Sequence, residues 1–200
     1  MIGNLETERL LIRNFRKADW KDLHEYLSLQ DTYVFEPGDP IDAAEAKRLA
    51  AERSKGDAFL AVVLKAEDKM VGHLYFSRME PLEFRTWELG YIFNPRYRSR
   101  GYCTEASRSV VEFGFRALQA HRIVAFCDPR NAASWRVLEK IGMQREGHFR
   151  QKAFFRRGQD GSPLWHDCYA YGLVAADPSP TTAPAIHSGE DAATRPAAAE

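Results

Sequence analysis

The segment Asn94–Ala106, with the sequence NPRYRSRGYCTEA, concentrates the residue types that bind phosphate. Arg96, Arg98 and Arg100 place three cations within five residues. Gly101 follows them, and a glycine lets a ligand approach the main chain closely. Guanidinium groups bind phosphate through charge-assisted hydrogen bonds, so the segment predicts a phosphate-binding loop.

Two predicted elements position this loop. Strand-type alternation over Trp87–Phe93 ends at Asn94, and Thr104 is a favoured N-cap for a predicted helix that continues to about Leu118. The first turn of a helix carries unpaired N–H groups and a partial positive charge, which together attract a pyrophosphate. An exposed turn whose arginines are simply solvated is the alternative interpretation.

The same kind of patterning continues over most of the chain. Segments of strand period and helix period follow the order βααβββαβαββ, which predicts an α+β fold with three layers, α/β/α. The helices are expected to begin at Asp19, Asp42, Thr104 and Ala132, and the strands to span Glu8–Phe15, Ala58–Lys65, Met70–Met79, Trp87–Phe93, Arg122–Cys127, Gln144–Phe155 and Leu164–Leu173.

Composition excludes several classes of protein. Lys plus Arg and Asp plus Glu each number 28, so the formal net charge is zero and nucleic acid or an anionic membrane exerts no general attraction. The 3 cysteines lack the spacing of a metal site or a disulfide framework. No apolar run is long enough to span a membrane and no signal peptide is recognisable, so a cytoplasmic location is expected.

The domain organisation is expected to be simple. Residues 1–174 contain every predicted element and form one domain. Residues 175–200 are mostly Ala, Pro, Thr, Ser and acidic residues with no aromatic side chain, which predicts a disordered C-terminal tail.

Two stretches together resemble a known family. WELGYIFNPRYRSRGYCTEA, which begins at Trp87, and HRIVAFCDPRNAASWRVLEKIGMQREG, which begins at His121, are similar to the GNAT superfamily of acyl-CoA-dependent N-acyltransferases. The similarity is greatest to the RimJ/RimL-like branch of protein N-terminal acetyltransferases. It implies a mixed, mostly antiparallel sheet that splays between its fourth and fifth strands, with the pantetheine arm of acetyl-CoA in the gap.

The family's pyrophosphate signature, Q/R-x-x-G-x-G/A, falls on Arg96, Ser99 and Gly101. Arg96 and Gly101 match it, whereas Ser99 stands where the family usually has glycine and removes one conformationally permissive residue. By resemblance, coenzyme A binds to the strand residues Tyr91, Ile92 and Phe93, to the loop residues Arg96, Arg98, Ser99, Arg100, Gly101, Tyr102, Cys103 and Thr104, and to Asn131. No metal is implied.

The resemblance also implies a general acid at Ser134, which follows Asn131 in the motif DPRNAASWRVLEK. A thiol leaving group departs more readily when a hydroxyl donates a proton to it. An asparagine three residues before a serine at a helix start is also an ordinary capping arrangement. In many relatives a tyrosine takes the acid role.

Glu88 is the candidate general base, because an amine must lose a proton to attack a thioester. A carboxylate between Trp87 and Leu89 on a strand is seldom a solvated surface group. A simple ion pair on the outer face of the sheet is the alternative. His73 and the pair His166-Asp167 are further candidate proton carriers; a triad with Ser134 lacks a nucleophile-elbow sequence.

The acceptor pocket is expected to include the segment at residues 30–40, QDTYVFEPGDP, and the segment at residues 154–167. Carboxylates and aromatic faces both attract ammonium groups, so the candidate acceptor-binding residues are Tyr33, Phe35, Glu36 and His73, with Asp31 and Asp39 nearby. The same acids are also typical of an ordinary polar loop.

The sequence therefore predicts an enzyme that uses acetyl-CoA to acetylate a primary amine by direct attack in a ternary complex. The expected acceptors are a peptide or ribosomal-protein N-terminus, then an antibiotic or other small amine, then a polyamine. A non-catalytic acyl-CoA-binding module is the alternative, and an RNA-contacting protein is disfavoured by the neutral charge. The protein is expected to be a monomer or a homodimer without nucleic-acid or membrane partners.

Overall fold

The computed structural model describes residues 3–177. The predicted tail at 175–200 therefore lies outside the described residues except for its first three positions. Within the described part of the chain, no helix is both long and apolar enough to cross a membrane.

The described residues form eight strands and four α-helices. The helices are α1 (Trp20–Leu27), α2 (Ala43–Arg53), α3 (Tyr102–Arg116) and α4 (Ala132–Lys140). The strands are β1 (Leu5–Glu6), β2 (Leu10–Asn14), β3 (Phe59–Leu64), β4 (Lys69–Arg78), β5 (Thr86–Phe93), β6 (Arg122–Cys127), β7 (Gln144–Arg157) and β8 (Pro163–Val174).

All eight strands belong to one sheet in the order β1-β2-β3-β4-β5-β6-β8-β7. Every neighbouring pair is antiparallel except β5 and β6, which are parallel and are joined through α3. The predicted α+β class and mixed sheet are confirmed. The short strand β1 was not expected, because its two residues give no detectable alternation.

The parallel pair separates soon after it forms. The register joins Thr86–Glu88 of β5 to Arg122–Val124 of β6, whereas β5 continues to Phe93 and β6 to Cys127. The sheet is therefore splayed between these strands, as the resemblance implies. The splay was expected between the fourth and fifth strands. Because the unexpected β1 comes first in the chain, the same two strands are β5 and β6 in the structure.

Apolar side chains on the two faces of the sheet form two cores. One core includes Phe76, Leu89 and Ile123 together with Val110 of α3 and Leu138 of α4. Strand alternation assigns neighbouring positions to the other face, which we call the front face. Its core contains Ala61, Val63 and Met70 together with Leu23, Tyr26 and Leu27 of α1 and Ala50 of α2.

Part of the front face is left uncovered by α1 and α2. Cross-strand neighbours share a face, and the register pairs Tyr75 with Gly90 and Ser77 with Glu88. All four of these residues are half-buried, while Phe76 and Leu89 between them are buried. An open strip therefore runs along the front face beside the splay.

Two helices begin differently from the prediction. Gly101, not Thr104, is the N-cap of α3; it has φ +81°, and the helix starts at Tyr102. Asp19 precedes α1 but does not cap it with its side chain. Its carboxylate oxygens each accept a 2.8 Å hydrogen bond from the buried guanidinium of Arg13, an ion-pair partner that local capping rules do not include.

Gly72→Ala is expected to destabilise the fold by about 1–3 kcal/mol, because overpacking a core costs energy of this order. A Cβ at this position would lie 2.7 Å from the Phe93 ring and 2.8 Å from the Ile92 carbonyl oxygen, and paired backbone cannot move away. Urea denaturation measures the difference. Gly90→Ala is the control, since its nearest contact is 3.5 Å. Equal losses in the two variants would contradict the packing account.

Candidate active site

A cleft of about 740 Å³ opens where β5 and β6 separate. Four segments line it: the loop after α1, the end of β5, the loop that leads into α3, and the start of α4. The lining residues include Phe35, Glu36, Tyr91, Ile92, Phe93, Arg98, Ser99, Gly101, Tyr102, Cys103, Thr104, Arg130, Asn131 and Ser134. Ten of the twelve residues predicted to bind coenzyme A and one of the two predicted catalytic residues are in this set.

The N-terminus of α3 lines one part of the cleft. Gly101 has no side chain with which to cap the helix, so the first N–H groups of α3 have no side-chain cap partner there. Arg98 also lines the cleft, whereas Arg96 forms a 3.0 Å ion pair with Glu25 and Arg100 stacks over Tyr97. The predicted arginine cluster thus divides, and one of its three cations faces the cleft.

Ser99 adopts a left-handed conformation with φ +60°. Glycine enters this region without steric cost, whereas a residue with a Cβ is strained there. The departure from the family signature therefore falls at a position where glycine's freedom is used. The loop nevertheless leads directly into Gly101, the N-cap of α3.

Arg9 supports the α3 N-terminus from the other side of the loop. Its Nε and Nη2 atoms lie 2.7 and 2.6 Å from Glu105 Oε2, and its Nη1 donates to the Arg100 carbonyl at 3.1 Å. Burial by itself would raise the pKa of Glu105, but hydrogen bonds from Thr7 and Arg9 outweigh it and lower that pKa. Arg9 thus offsets a negative charge in the first turn of the helix. Sequence analysis missed this contact because the two residues are far apart in the chain.

Tyr91 and Ser134, which both line the cleft, bring two hydroxyl groups together. Asn131 caps α4 by accepting a 3.1 Å hydrogen bond from the Ser134 N–H. The Tyr91 hydroxyl donates to the Ser134 carbonyl at 2.9 Å and lies 3.1 Å from Ser134 Oγ. Burial raises the pKa of Tyr91 well above its ordinary value, so this hydroxyl keeps its proton. The contact of Tyr91 with Ser134 joins a strand residue to the predicted acid, and the local motif gave no sign of it.

Phe35 and Glu36, from the loop after α1, also line the cleft, and the guanidinium carbon of Arg130 lies 5.8 Å from the centre of the Phe35 ring. Burial raises the pKa of Glu36 to about 7, and no ion pair among the described residues involves it. Tyr33 is buried beside this loop and is not part of the lining; its hydroxyl donates to the Leu27 carbonyl at 3.1 Å. Arg156 on β7 donates to the Tyr33 carbonyl, which ties the loop to the β7–β8 hairpin.

Glu88 and His73 lie outside the cleft. Glu88 is on the open strip of the front face, where burial raises its pKa. His73 is buried beneath α1 and α2, with Nδ1 2.6 Å from the Tyr26 hydroxyl and Nε2 3.3 Å from Arg53. Burial and the nearby Arg53 charge lower the pKa of His73 well below its ordinary value, so the ring is neutral.

The pair His166-Asp167 separates across the β7–β8 hairpin, because adjacent strand residues point to opposite faces. His166 Nδ1 lies 2.8 Å from Asp128, while Asp167 lies 2.7 Å from His148. Ser134 contacts neither of these residues, and the structure assembles no Ser-His-Asp triad from them.

Cys103 lies in the cleft lining and is half-buried. Burial raises the pKa of its thiol to about 12, so the thiolate needed for covalent acyl transfer is not formed near neutral pH. Among the described residues, no cluster of His, Cys, Asp and Glu has a geometry that could hold a metal ion.

A model of the acetyltransferase (GNAT) domain matches residues 9–144, which is more than half of the chain. The chain belongs to the GNAT acetyltransferase family. GNAT enzymes transfer the acetyl group of acetyl-CoA, and the predictions of an acetyltransferase and of its family are confirmed.

Several GNAT relatives cover nearly the whole described domain. The uncharacterized N-acetyltransferase YnaD of Bacillus subtilis is 36% identical over 173 residues, covering 86% of this chain and 96% of YnaD. The [ribosomal protein uS5]-alanine N-acetyltransferase of Escherichia coli is 24% identical over 187 residues, covering 88% and 93%. A crystal structure of a GNAT-family acetyltransferase from Bacillus anthracis superposes with a TM-score of 0.79 at 34% identity, covering 88% of this chain and 100% of that one.

The residues of this GNAT cleft fit the coenzyme that the family uses. The α3 N-terminus, Gly101 and Arg98 supply N–H donors and a cation for a pyrophosphate. The unpaired edge of β5 beyond Glu88 supplies backbone groups for an extended arm.

Glu36→Gln is expected to stabilise this GNAT domain by about 1–3 kcal/mol at pH 8 and to have little effect at pH 4. The folded state holds the Glu36 proton more tightly than the unfolded state, because burial raises the pKa from 4.5 to about 7. The stabilising effect of that proton is complete below pH 4.5 and is lost as the pH rises through 7. Urea denaturation across this range measures it. The exposed Glu83→Gln is the control, and the same pH dependence in both proteins would contradict this assignment.

Proposed function

We propose that this GNAT protein acetylates a primary amine, either a peptide N-terminus or a small-molecule amine, by direct attack of the amine on acetyl-CoA in a ternary complex. The observation that carries the proposal is the cleft at the splay, whose lining includes the N-terminus of α3 and Glu36, a carboxylate without an ion-pair partner among the described residues. The helix N-terminus suits a diphosphate and the carboxylate suits an ammonium group.

Acetyl-CoA supplies an activated acetyl thioester when it is bound. As the amine nitrogen bonds to the acetyl carbon, the carbon–sulfur bond breaks and the electron pair goes to sulfur. Ser134 Oγ donates a proton to the departing sulfur. The Tyr91 hydroxyl, 3.1 Å from Ser134 Oγ, positions that oxygen. The proton that the attacking nitrogen loses as it becomes an amide replaces the one that Ser134 gives to sulfur.

Before the attack, the ammonium group of the acceptor loses one proton to Glu88 on the front face, through water because Glu88 is outside the cleft lining. Burial raises the pKa of Glu88, which brings a carboxylate closer to the range suited to proton transfer near neutral pH. Glu36 holds the ammonium form of the acceptor before it is deprotonated, beside the Phe35 ring, which Arg130 already contacts.

We place peptide N-termini first among the proposed acceptors because of what two similar proteins act on. The Escherichia coli relative acts on an alanine of ribosomal protein uS5. The Vibrio cholerae spermidine N-acetyltransferase, solved with CoA and spermine, shares the fold with a TM-score of 0.70 at 16% identity, covering 84% of this chain and 97% of that one. Its similarity extends to the fold alone, so polyamines stay lowest in the order.

The proposal is tested by assaying acetyl-CoA-dependent release of CoA against a panel of peptides, small amines and polyamines. We expect turnover with at least one peptide N-terminus. Tight CoA binding without turnover on any amine would contradict catalysis and would favour the non-catalytic acyl-CoA-binding module. The strained Ser99, which stands where the family usually has glycine, is the feature of the loop that departs from the family signature.

Ser134→Ala is expected to lower kcat about 10²- to 10³-fold, because a positioned general acid contributes about this much. The KM for acetyl-CoA is expected to change less than about twofold, since most of the coenzyme contacts stay in place. Tyr91→Phe is expected to lower kcat by a smaller factor. Ser162→Ala, on the β7–β8 hairpin turn, is the control. An unchanged kcat in Ser134→Ala would remove Ser134 from the mechanism.

A further inference from the structure

Arg53, the last residue of α2, holds a half-buried guanidinium group on the front face. Its guanidinium carbon lies 4.0 Å from the centre of the Phe59 ring and 5.4 Å from that of Phe15. Nη1 donates to His73 Nε2 at 3.3 Å, and the buried Nε has no hydrogen-bond partner among residues 3–177. The group is thus oriented by rings and by a neutral imidazole.

The positive charge of Arg53 is poorly compensated. It forms no ion pair with a carboxylate in the described part of the chain, and burial lowers its pKa. Glu52 acts on it only at a distance and forms its own 2.8 Å ion pair with Arg48. Burying an unpaired charge is costly, so an anion that paired with Arg53 would be bound strongly.

The contact between Arg53 and His73 determines which ring nitrogen of His73 carries the proton. Because Nε2 accepts from Arg53, Nδ1 carries the ring proton and faces the Tyr26 hydroxyl at 2.6 Å. The series from Tyr26 to His73 to Arg53 is buried at its inner end and fixes the position of the guanidinium. His73 therefore acts as a positioning residue and not as an acceptor contact.

The open strip of the front face connects Arg53 to the splay. Phe59 pairs across the sheet with Tyr75, and Tyr75 pairs with Gly90 on β5. Two strand spacings of about 4.8 Å separate β3 from β5, which gives a span of roughly 10 Å. All three residues are half-buried, and Gly90 adds no side chain that would block the strip.

We propose that Arg53 binds a carboxylate of the acceptor, so that the acceptor carries an anion about 10 Å from the amine that is acetylated. The inference rests on the proposed function and narrows its substrate class. An extended peptide rises about 3.3–3.6 Å per residue, so the carboxylate belongs near the third residue. Either the C-terminus of a tripeptide or an acidic side chain close to a longer N-terminus fits this span, whereas a polyamine does not.

The test compares matched acceptors that differ only in this charge. One arm uses the tripeptide Ala-Ala-Ala as the free acid and as the C-terminal amide. The other uses the amidated pentapeptides Ala-Ala-Glu-Ala-Ala and Ala-Ala-Gln-Ala-Ala. We expect kcat/KM to be at least tenfold higher for the acid member of at least one pair, and the pair that responds identifies the source of the carboxylate.

Substitution of Arg53 supplies the second half of the test. In Arg53→Gln the ratio of kcat/KM for the acid peptide to that for the uncharged peptide is expected to fall to about 1. The kcat/KM for the uncharged peptide is expected to stay within about threefold of the wild-type value. Arg53→Lys is expected to keep part of the preference, because it retains the charge without the planar fork. Arg48→Gln, on the exposed side of the same helix, is the control and is expected to keep the full preference.

Three results would overturn the inference. The first is that the wild-type protein has equal kcat/KM values for the acid and the uncharged member of both pairs. The second is that the acid preference survives in Arg53→Gln, and the third is that Arg53→Gln lowers kcat/KM equally for the acid and the uncharged peptide and Arg53→Lys does not restore it. If Arg53→Gln does not fold, the wild-type ratio and Arg53→Lys still decide. Absence of turnover on every amine would instead contradict the proposed function, and calorimetry of the acid and amide peptides with the CoA-loaded protein would then test Arg53 by binding alone.

Discussion

The separation of β5 from β6 after three paired residues is the constraint on which the site depends. A parallel pair that stayed together to the ends of both strands would close the sheet and leave no passage from one face to the other. Because the strands part at Glu88, their backbone groups beyond that point lack each other as partners. Unpaired backbone groups need another partner, and an extended ligand can supply it.

Each neighbouring element contributes a different chemical group to this gap. The loop after β5 leads into the N-terminus of α3, which favours negative charge. The loop after β6 leads into α4, which places Ser134 beside Tyr91 of β5. The loop after α1 contributes Glu36, which favours positive charge, to the same lining. One cleft therefore combines a site that favours an anion with a carboxylate that favours a cation.

The features that the sequence predicts are mostly local. The elements follow from the residue patterns of single segments, and the loop at Asn94–Ala106 and the start of α4 at Ala132 are each encoded within a few consecutive residues. Contacts between distant residues were not predicted. Arg9 with Glu105 and Tyr91 with Ser134 depend on strand register and helix packing, which no local pattern specifies.

Two histidines show the same limit. His73 and His166 both have a residue type suited to proton transfer, but each is held by partners from elsewhere in the chain. His73 is neutralised by burial under α1 and α2 beside Arg53, and His166 contacts Asp128 at the end of β6. Residue type suggested the chemistry, whereas the tertiary neighbours determined the environment.

We infer that the diphosphate of coenzyme A binds to the first N–H groups of α3 while the arm passes between β5 and β6. A crystal structure of the protein with CoA would show this contact. We expect diphosphate oxygens within hydrogen-bond distance of main-chain N–H groups between Gly101 and Thr104, with the arm beside β5 beyond Glu88. A diphosphate bound elsewhere, or an arm that does not enter the gap between the strands, would contradict it.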